Sequence, residues 1–554
     1  MRCWSARRVK SDHHVQAAQT LPARLPPAQC SSQPGASHTP LLDAVMERGQ
    51  RRGEVPLHVP GHKRGAGVLP KLRDLAQSGD MLHCDLTELP GLDYLASPTG
   101  VIAQAQAAAA AAFGAEQTWF LVNGCSVAIH AAVLAVAGPG DTLLLARNCH
   151  QAAYAAVTLA GCHPFWLYPE LDPDFDLAHG VSPASLSQGL QQARAAGCRV
   201  AGVLLVSPTY FGAALHIREL AAVCHEAGIP LLVDEAHGGH FGLLPDPQVA
   251  AGPLPPSALS QGADLVMHST HKALSALTQA AMLHAQGGRV DRGRVSRALQ
   301  MLQTSSPSYL LLASLDAARA LAQQPQACFA TAMQAARIAR SGIADLPPLQ
   351  LLDIARSPCC SHLPPPKLAS VHCFDPLRLA VRVSGLGQGV TGFQVSQQLE
   401  EEYAVVAELA TSQVVLFVLG PGSQPDHAVA LVVALRDIVT KFRGASSGRG
   451  PDIEATCASA IPLSLAAAAP AQPARLTSPR DAFFTRNVRL PADECVGRAS
   501  AELLCPYPPG VPLVYPGELI TRQALDTLRG VKASGGTVTG LADSLLDTLA
   551  VLDL

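Results

Sequence analysis

Five short segments of this 554-residue chain carry side chains suited, in type and order, to one kind of chemistry. Lys272 ends His268-Ser269-Thr270-His271-Lys272, just after the apolar run Leu265-Val266-Met267. An amine set among hydroxyls and imidazoles can form a Schiff base with a carbonyl. Asp234 follows the run Leu231-Leu232-Val233 and opens Asp234-Glu235-Ala236-His237-Gly238-Gly239-His240. A carboxylate at the end of a buried strand needs a cationic or donor partner, because an unpaired one is strongly destabilising. Asn123-Gly124-Cys125-Ser126 leads into an apolar helical pattern, so its N–H groups and the positive helix end form a cup for phosphate. His150 closes Arg147-Asn148-Cys149-His150, and Ser207-Pro208-Thr209-Tyr210-Phe211-Gly212 adds hydroxyls to the same rim. Each segment alone is ordinary: most glycine turns only start helices, and a lone histidine after a strand is usually structural. Together they supply a Schiff-base lysine, a carboxylate for a protonated pyridine nitrogen, a phosphate cup and a stacking imidazole. Pyridoxal 5'-phosphate requires that set.

The elements that must position these groups are legible in the hydrophobic pattern. Between about 115 and 285, short apolar runs alternate with alanine-rich helical segments. The runs are 119–122, 142–145, 202–206, 229–233 and 265–267. Continuous apolar runs without alternation suit strands buried on both faces, hence a mainly parallel sheet with helical crossovers. In such α/β sheets ligands bind beyond the carboxyl ends of the strands. Each chemical segment above follows such a run.

Composition excludes other classes. With 48% hydrophobic and 15% charged residues the chain can build a large core and is not a disordered protein. A net charge of -3 leaves no basic footprint for nucleic acid, and no apolar run reaches the roughly 18 residues of a membrane span. The 15 cysteines are scattered without a CxxC pair, and Cys359-Cys360 is the one tight cluster. They read as reduced thiols of an intracellular protein rather than a disulfide scaffold or a zinc site, and no metal is expected. Residues 1–38 hold Arg2, Arg7, Arg8, Lys10 and Arg24 against the single acid Asp12, which fits an organelle transit peptide or a disordered extension. Residues 39–330 then form the cofactor-binding major domain. A small α/β segment occupies 331–443 and is broken by a Pro-rich piece at 363–367. A linker or insertion follows over 444–478, and a C-terminal unit over 479–554.

Three segments carry a family resemblance: Leu57-His58-Val59-Pro60-Gly61-His62-Lys63-Arg64-Gly65, Asp85-Leu86-Thr87-Glu88-Leu89-Pro90-Gly91-Leu92-Asp93 and Ser269-Thr270-His271-Lys272. They resemble the Orn/Lys/Arg decarboxylase family of fold type I pyridoxal phosphate enzymes. Gln303 to Tyr309 and the C-terminal segments Gly497-Arg498, Tyr507-Pro508-Pro509-Gly510 and Pro516-Gly517-Glu518 are similar as well. The resemblance implies a fold type I large domain with a smaller α+β C-terminal domain. It implies that Lys272 holds the cofactor, that Asp234 keeps the pyridine nitrogen protonated, and that His150 stacks on the ring. Gly124, Cys125, Ser126, Ser269 and His271 would hold the phosphate, and His237 would touch cofactor or substrate. Cys125 stands where the family has a hydroxyl, Tyr94 where it often has a second acid, and Met267 where it has a smaller residue.

The reaction implied is decarboxylation of arginine or lysine, with ornithine as a further option, to a polyamine-pathway amine and carbon dioxide. A distal cation on the substrate asks for a carboxylate, for which Asp85, Glu88, Asp93 and Glu518 are candidates. The resemblance also implies a homodimer or larger assembly. Competing readings are another fold type I reaction, such as an aminotransferase or lyase, and a non-catalytic regulatory homologue. The intact Lys272 and Asp234 weigh against the latter.

Overall fold

Strands buried on both sides form a seven-stranded sheet at the centre of the molecule. The computed structural model describes residues 38–51, 55–76, 80–245, 254–353, 368–387, 389–446, 472–507, 511–533 and 536–554. The proposed N-terminal extension apart from His38, the triple proline 364–366, most of the 444–478 linker and Pro508-Pro509-Gly510 lie outside them. Residues Thr39–Leu554 cluster as one unit.

The first ten strands are β1 (Gln117–Leu121), β2 (Thr142–Ala146), β3 (His163–Leu167), β4 (Leu171–Asp172), β5 (Leu177–Ala178), β6 (Val200–Val206), β7 (Ala213–Leu215), β8 (Leu231–Asp234), β9 (Leu265–His268) and β10 (Ala281–Ala285). The sheet order is β1-β10-β9-β8-β6-β2-β3. Neighbours from β9 to β3 pair in parallel, and β10 runs against both β9 and β1. This is the mainly parallel α/β sheet expected from the apolar runs. Alternate residues feed opposite cores. Leu143, Leu145, Leu204, Leu232 and Met267 pack with the helices Gly124–Val136, Gln151–Ala160 and Arg292–Leu302. Leu144, Val203, Leu205, Leu231, Val233 and Val266 pack with the helices Pro183–Ala195 and Ile217–Glu226. Burying each large side chain contributes roughly 1.5–3 kcal/mol. A slip of one residue would exchange the two faces, so register and strand ends are fixed.

Strands β3 and β10 do not announce themselves in the pattern. Pro164 lies inside β3, and the proline is tolerated because β3 is an edge strand paired only with β2. The β10 segment, Ala-Met-Leu-His-Ala, is interrupted by the buried polar His284.

A four-stranded antiparallel sheet joins β11 (Gln350–Leu351), β13 (Arg378–Arg382), β14 (Leu409–Ala410) and β15 (Val414–Val418), while β12 (Val371–Phe374) pairs with β7 of the large unit. The helices Pro325–Ala344, Gly392–Tyr403 and Pro425–Ser446 accompany it. The last part carries β16 (Asn487–Pro491), β17 (Cys505–Tyr507), β18 (Thr537–Thr539) and β19 (Thr548–Leu552), with the helix Arg522–Ala533 over a small core of Leu504, Ile520, Leu525 and Leu549. Among the described residues no helix is long and apolar enough to cross a membrane.

One buried ion pair ties this C-terminal part to the large sheet. Arg147, just past β2, donates from Nη1 to Glu518 Oε1 at 2.8 Å and from Nη2 to Oε2 at 2.9 Å. Its guanidinium carbon lies 4.5 Å from the Tyr515 ring centre and 4.7 Å from that of Trp166, and these two rings stack on each other. Trp166 Nε1 and the Tyr515 N–H complete the shell of Glu518. A planar, bidentate, stacked pair needs arginine rather than lysine. Removing one partner strands the other charge in the interior, which costs about 3–5 kcal/mol. Glu518→Ala should therefore lower unfolding stability by that amount in a denaturant titration; a loss below about 1 kcal/mol, as for a surface pair, would show that the pair does not hold the C-terminal part.

Candidate active site

A cavity of about 520 Å³ opens where the carboxyl ends of the parallel strands meet the C-terminal part. Gly124, Cys125, Ser126, His150, Asp234, His237, Ser269, His271 and Lys272 all line it. The nine residues singled out in the sequence for cofactor binding thus share one wall, brought there by the ends of β1, β2, β8 and β9.

Gly124 has φ +78, which lets the chain turn from β1 into the helix Gly124–Val136. A side chain there would be strained. The first N–H groups of that helix have no partner inside the helix and point toward its start, where Ser126 and Cys125 also line the cavity. Burial, and next the charge of Asp234, push the Cys125 thiol pKa up. The thiol therefore stays neutral and brings no negative charge to an anion cup. Ser269 hydrogen-bonds it and heads the short helix Thr270–Ala273, which carries His271 and Lys272.

Asp234 is 6% exposed at the end of β8, and its Oδ1 accepts from the Ala236 N–H at 3.1 Å. Burial raises its pKa, while His150, the Ala236 N–H and Lys272 oppose the shift in that order. His150 caps the helix Gln151–Ala160, its Nδ1 accepting from the Ala152 N–H at 3.2 Å. Burial, and then Lys272, lower the His150 pKa against the pull of Asp234. With Nδ1 accepting, the proton of a neutral ring sits on Nε2. Lys272 Nζ lies 3.2 Å from His237 Nε2 and 6.0 Å from the Tyr210 ring centre. His271 donates from Nδ1 to the Ala280 carbonyl at 3.0 Å.

The four carboxylates considered for a substrate cation do not line this cavity in the single chain. Glu518 is engaged by Arg147, Trp166 and Tyr515. Asp93 caps the helix Val101–Phe113, accepting from the N–H groups of Thr99, Gly100 and Ile102. Backbone donors outweigh burial there and lower its pKa. Glu88 accepts from Thr87, and Asp85 pairs with His62 at 3.1 Å. The cavity's lining instead includes a carboxylate that sequence reasoning missed, Asp176. It sits between β4 and β5 with φ +51, unusual for a residue with a side chain. Arg147, Tyr210 and Phe211 line the cavity too, with Leu513 and Thr539 from the C-terminal part.

Behind the wall lies a buried polar chain. Glu235 Oε2 is 2.8 Å from His268 Nε2, His268 Nδ1 is 3.1 Å from His284 Nε2, and His284 Nδ1 is 2.8 Å from Thr118 Oγ1. It stitches β8, β9, β10 and β1 together directly behind Asp234 and Ser269.

Comparison with known proteins decides the family. Residues 39–427 match the Orn/Lys/Arg decarboxylase major domain, and 466–544 match the C-terminal domain of the same family. The chain belongs to the Orn/Lys/Arg decarboxylase family. Among its relatives, the arginine decarboxylase of Bacillus anthracis is 34% identical over 518 residues, covering 93% of this chain and 97% of that protein. The arginine decarboxylase of Bacillus subtilis (strain 168) is 34% identical over 515 residues, covering 93% and 98%. Lysine decarboxylase A from Pseudomonas aeruginosa shares the fold with a TM-score of 0.77 at 22% identity, over 93% of this chain and 80% of that one. The E. coli constitutive lysine decarboxylase gives 0.74 at 19%, over 93% and 82%. These structures support the fold type I, mainly parallel α/β architecture.

Two departures from the decarboxylase pattern acquire locations. Met267 is fully buried in the core beneath β9 and does not line the cavity, whereas Tyr94 is exposed beside Asp93. Two rings of the site wall and its backing are held neutral. Burial and then Arg378 drive the His237 pKa well down, and burial and then His268 do the same for His284. In the unfolded chain each takes up a proton near pH 6.5. The stability they contribute is therefore whole above about pH 6.5 and lost below it, by about 1.4 kcal/mol per pH unit for each ring. His284→Gln should flatten the pH dependence of stability between about pH 6.5 and 5 by one proton's slope. An unchanged slope in denaturant titrations would show that His284 is protonated in the folded protein.

Proposed function

We propose that this chain binds pyridoxal 5'-phosphate in the cavity and decarboxylates arginine or lysine, with ornithine as a further candidate substrate. It is an amino-acid decarboxylase by family, and the observation that carries the reading is a single wall presenting Lys272, Asp234, His150 and a helix start. The residues fit the cofactor on their own chemistry. A buried carboxylate with one backbone donor suits a protonated ring nitrogen, and the φ +78 turn at Gly124 leaves backbone N–H groups for a phosphate.

When bound, the cofactor supplies the electron sink that allows loss of carbon dioxide from Cα. The chain supplies the rest. Lys272 would hold the cofactor through Nζ and yield it to the substrate amine. Asp234 would hold a proton on the ring nitrogen, because a positive partner would relieve its own burial. His150 would stack on the cofactor ring, Gly124, Cys125, Ser126, Ser269 and His271 would hold the phosphate, and His237 would contact cofactor or substrate. The apolar side chains of Phe211 and Leu513 line the same cavity and would limit water around a bound substrate.

Asp176 is assigned the distal cation of the substrate because it lines the cavity, which Asp85, Glu88, Asp93 and Glu518 do not. The β4–β5 hairpin that carries it is firmly built: Asp172 Oδ1 accepts from Asp174 N and Phe175 N, and Asp172 Oδ2 lies 3.3 Å from His179 Nε2. A homodimer or larger assembly is supported by the exposed Leu57, Val59, Leu69, Leu72 and Leu75 near the chain start. The product amine belongs to polyamine metabolism. The transit-peptide reading of residues 1–38 rests on their composition alone, and the bacterial relatives lend it no support.

The direct test is carbon dioxide release by the loaded protein from arginine, lysine and ornithine in turn. At least one should be turned over, and Lys272→Ala should abolish turnover. No release from any of the three would overturn the assignment. Asp176→Asn should raise KM for the basic substrate about 10- to 100-fold with a smaller change in kcat, the value of one charge-assisted hydrogen bond. An unchanged KM would remove Asp176 from substrate binding. Cys125→Ser should slow cofactor loss on dialysis about fivefold, since a hydroxyl is the stronger donor. Faster loss would show that the thiol does not contact the phosphate.

A further inference from the structure

Lys272, His237 and Arg378 form a line of nitrogen atoms in which few proton arrangements are possible. His237 Nε2 lies 3.2 Å from Lys272 Nζ, and His237 Nδ1 lies 3.1 Å from Arg378 Nη2. A guanidinium has donors and no acceptor, so Nδ1 of His237 must accept. A neutral ring then carries its proton on Nε2, facing Lys272. The reverse arrangement, Nζ–H donating to a bare Nε2, would put the ring proton on Nδ1. Two N–H groups would then face each other at 3.1 Å in a buried place. A doubly protonated ring would do the same and add a like charge.

Arg378 is itself well held. It is 4% exposed on β13, its Nε lies 3.7 Å from Asp375 Oδ2, and His240 Nε2 lies 2.9 Å from the same oxygen. Gly212 packs so closely on it that an added Cβ would come within 2.8 Å of the Arg378 Cβ. The charged and titratable groups facing His237 are Arg378 from β13, Lys272 and His271 from the short helix after β9, and His150 from the turn after β2. The Tyr210 ring packs 4.4 Å from it. After burial, each of those charged groups disfavours a second proton on His237.

We infer that Arg378 is a positioning residue that fixes His237 as a neutral Nε2–H donor aimed at Lys272 Nζ, leaving the lysine nitrogen as acceptor. The inference rests on Lys272 being the reactive amine but needs no cofactor. It gives the small α/β unit a part in the chemistry of the large one. It also explains why a histidine stands on the turn after Asp234: a ring can accept from one unit while donating to the other.

The test uses the full chain without cofactor, labelled with 15N histidine. Long-range 1H–15N NMR reports which ring nitrogen carries the proton, and the His237 signal is assigned by its loss in His237→Gln. In the wild type, Nδ1 should be bare and Nε2 protonated, without titration between about pH 6 and 8. Arg378→Lys, which keeps a donor-only cation, should preserve that pattern. Arg378→Met, which keeps bulk, should give mixed tautomers and a titrating ring. Acylation of Lys272, read by mass spectrometry at fixed pH, should slow about tenfold in Arg378→Met, the value of one lost hydrogen bond to Nζ. A protonated Nδ1 in the wild type would overturn the inference even if no variant folds. So would a folded Arg378→Met with the wild-type tautomer and acylation rate. Normal tautomers without carbon dioxide release would leave this inference standing and remove the decarboxylase reading instead.

Discussion

The burial of Asp234 is the constraint on which the site depends. A carboxylate at the end of a central strand, flanked by β6 and β9, has lost its water and keeps one backbone donor. Such a group is stable only with positive charge nearby. His150 and Lys272 stand at neighbouring strand ends, and both oppose the upward push of burial on the Asp234 pKa. Burial, and then Lys272, lower the His150 pKa against the pull of the carboxylate. The electrostatics of the cavity thus follow from one desolvated anion and the order of strands around it.

That arrangement needs a scaffold whose strand ends do not move. The two-faced burial of β2, β6, β8 and β9 supplies it, and the chain from Glu235 through His268 and His284 to Thr118 supports the wall from behind. Two contacts then close the cavity from outside the large unit. Arg147 reaches Glu518 and carries the C-terminal part to the rim, and Arg378 reaches His237 from the small α/β unit. Both are arginines that contact aromatic or imidazole rings.

Much of this was legible in the sequence, for a physical reason. Strands buried on both faces write themselves as unbroken apolar runs, and the residue after each run lies at the edge where ligands bind. Hence the segments after the apolar runs, with the resemblance, singled out nine residues that line one cavity. The edge strand β3 was hidden by Pro164, and β10 by the polar His284 inside its run. Glu518 stands among the four candidate carboxylates because nothing local reveals a partner 371 residues away. Arg378 escaped for the same reason: it lies 141 residues from His237, in a strand whose pattern reads only as small-sheet core. Asp176 left a fainter trace, since only its left-handed backbone in a two-strand hairpin sets it apart.

The central claim is that the amine of Lys272, and no other, takes the cofactor at the wall built around Asp234. Loading the protein with pyridoxal 5'-phosphate, reducing with borohydride and mapping the modified peptide addresses it directly. The account predicts one stable adduct, on the peptide that contains Lys272, and its loss when Asp234 is replaced by alanine at limiting cofactor. An adduct on Lys63 or another lysine, with Lys272 unmodified, would contradict it.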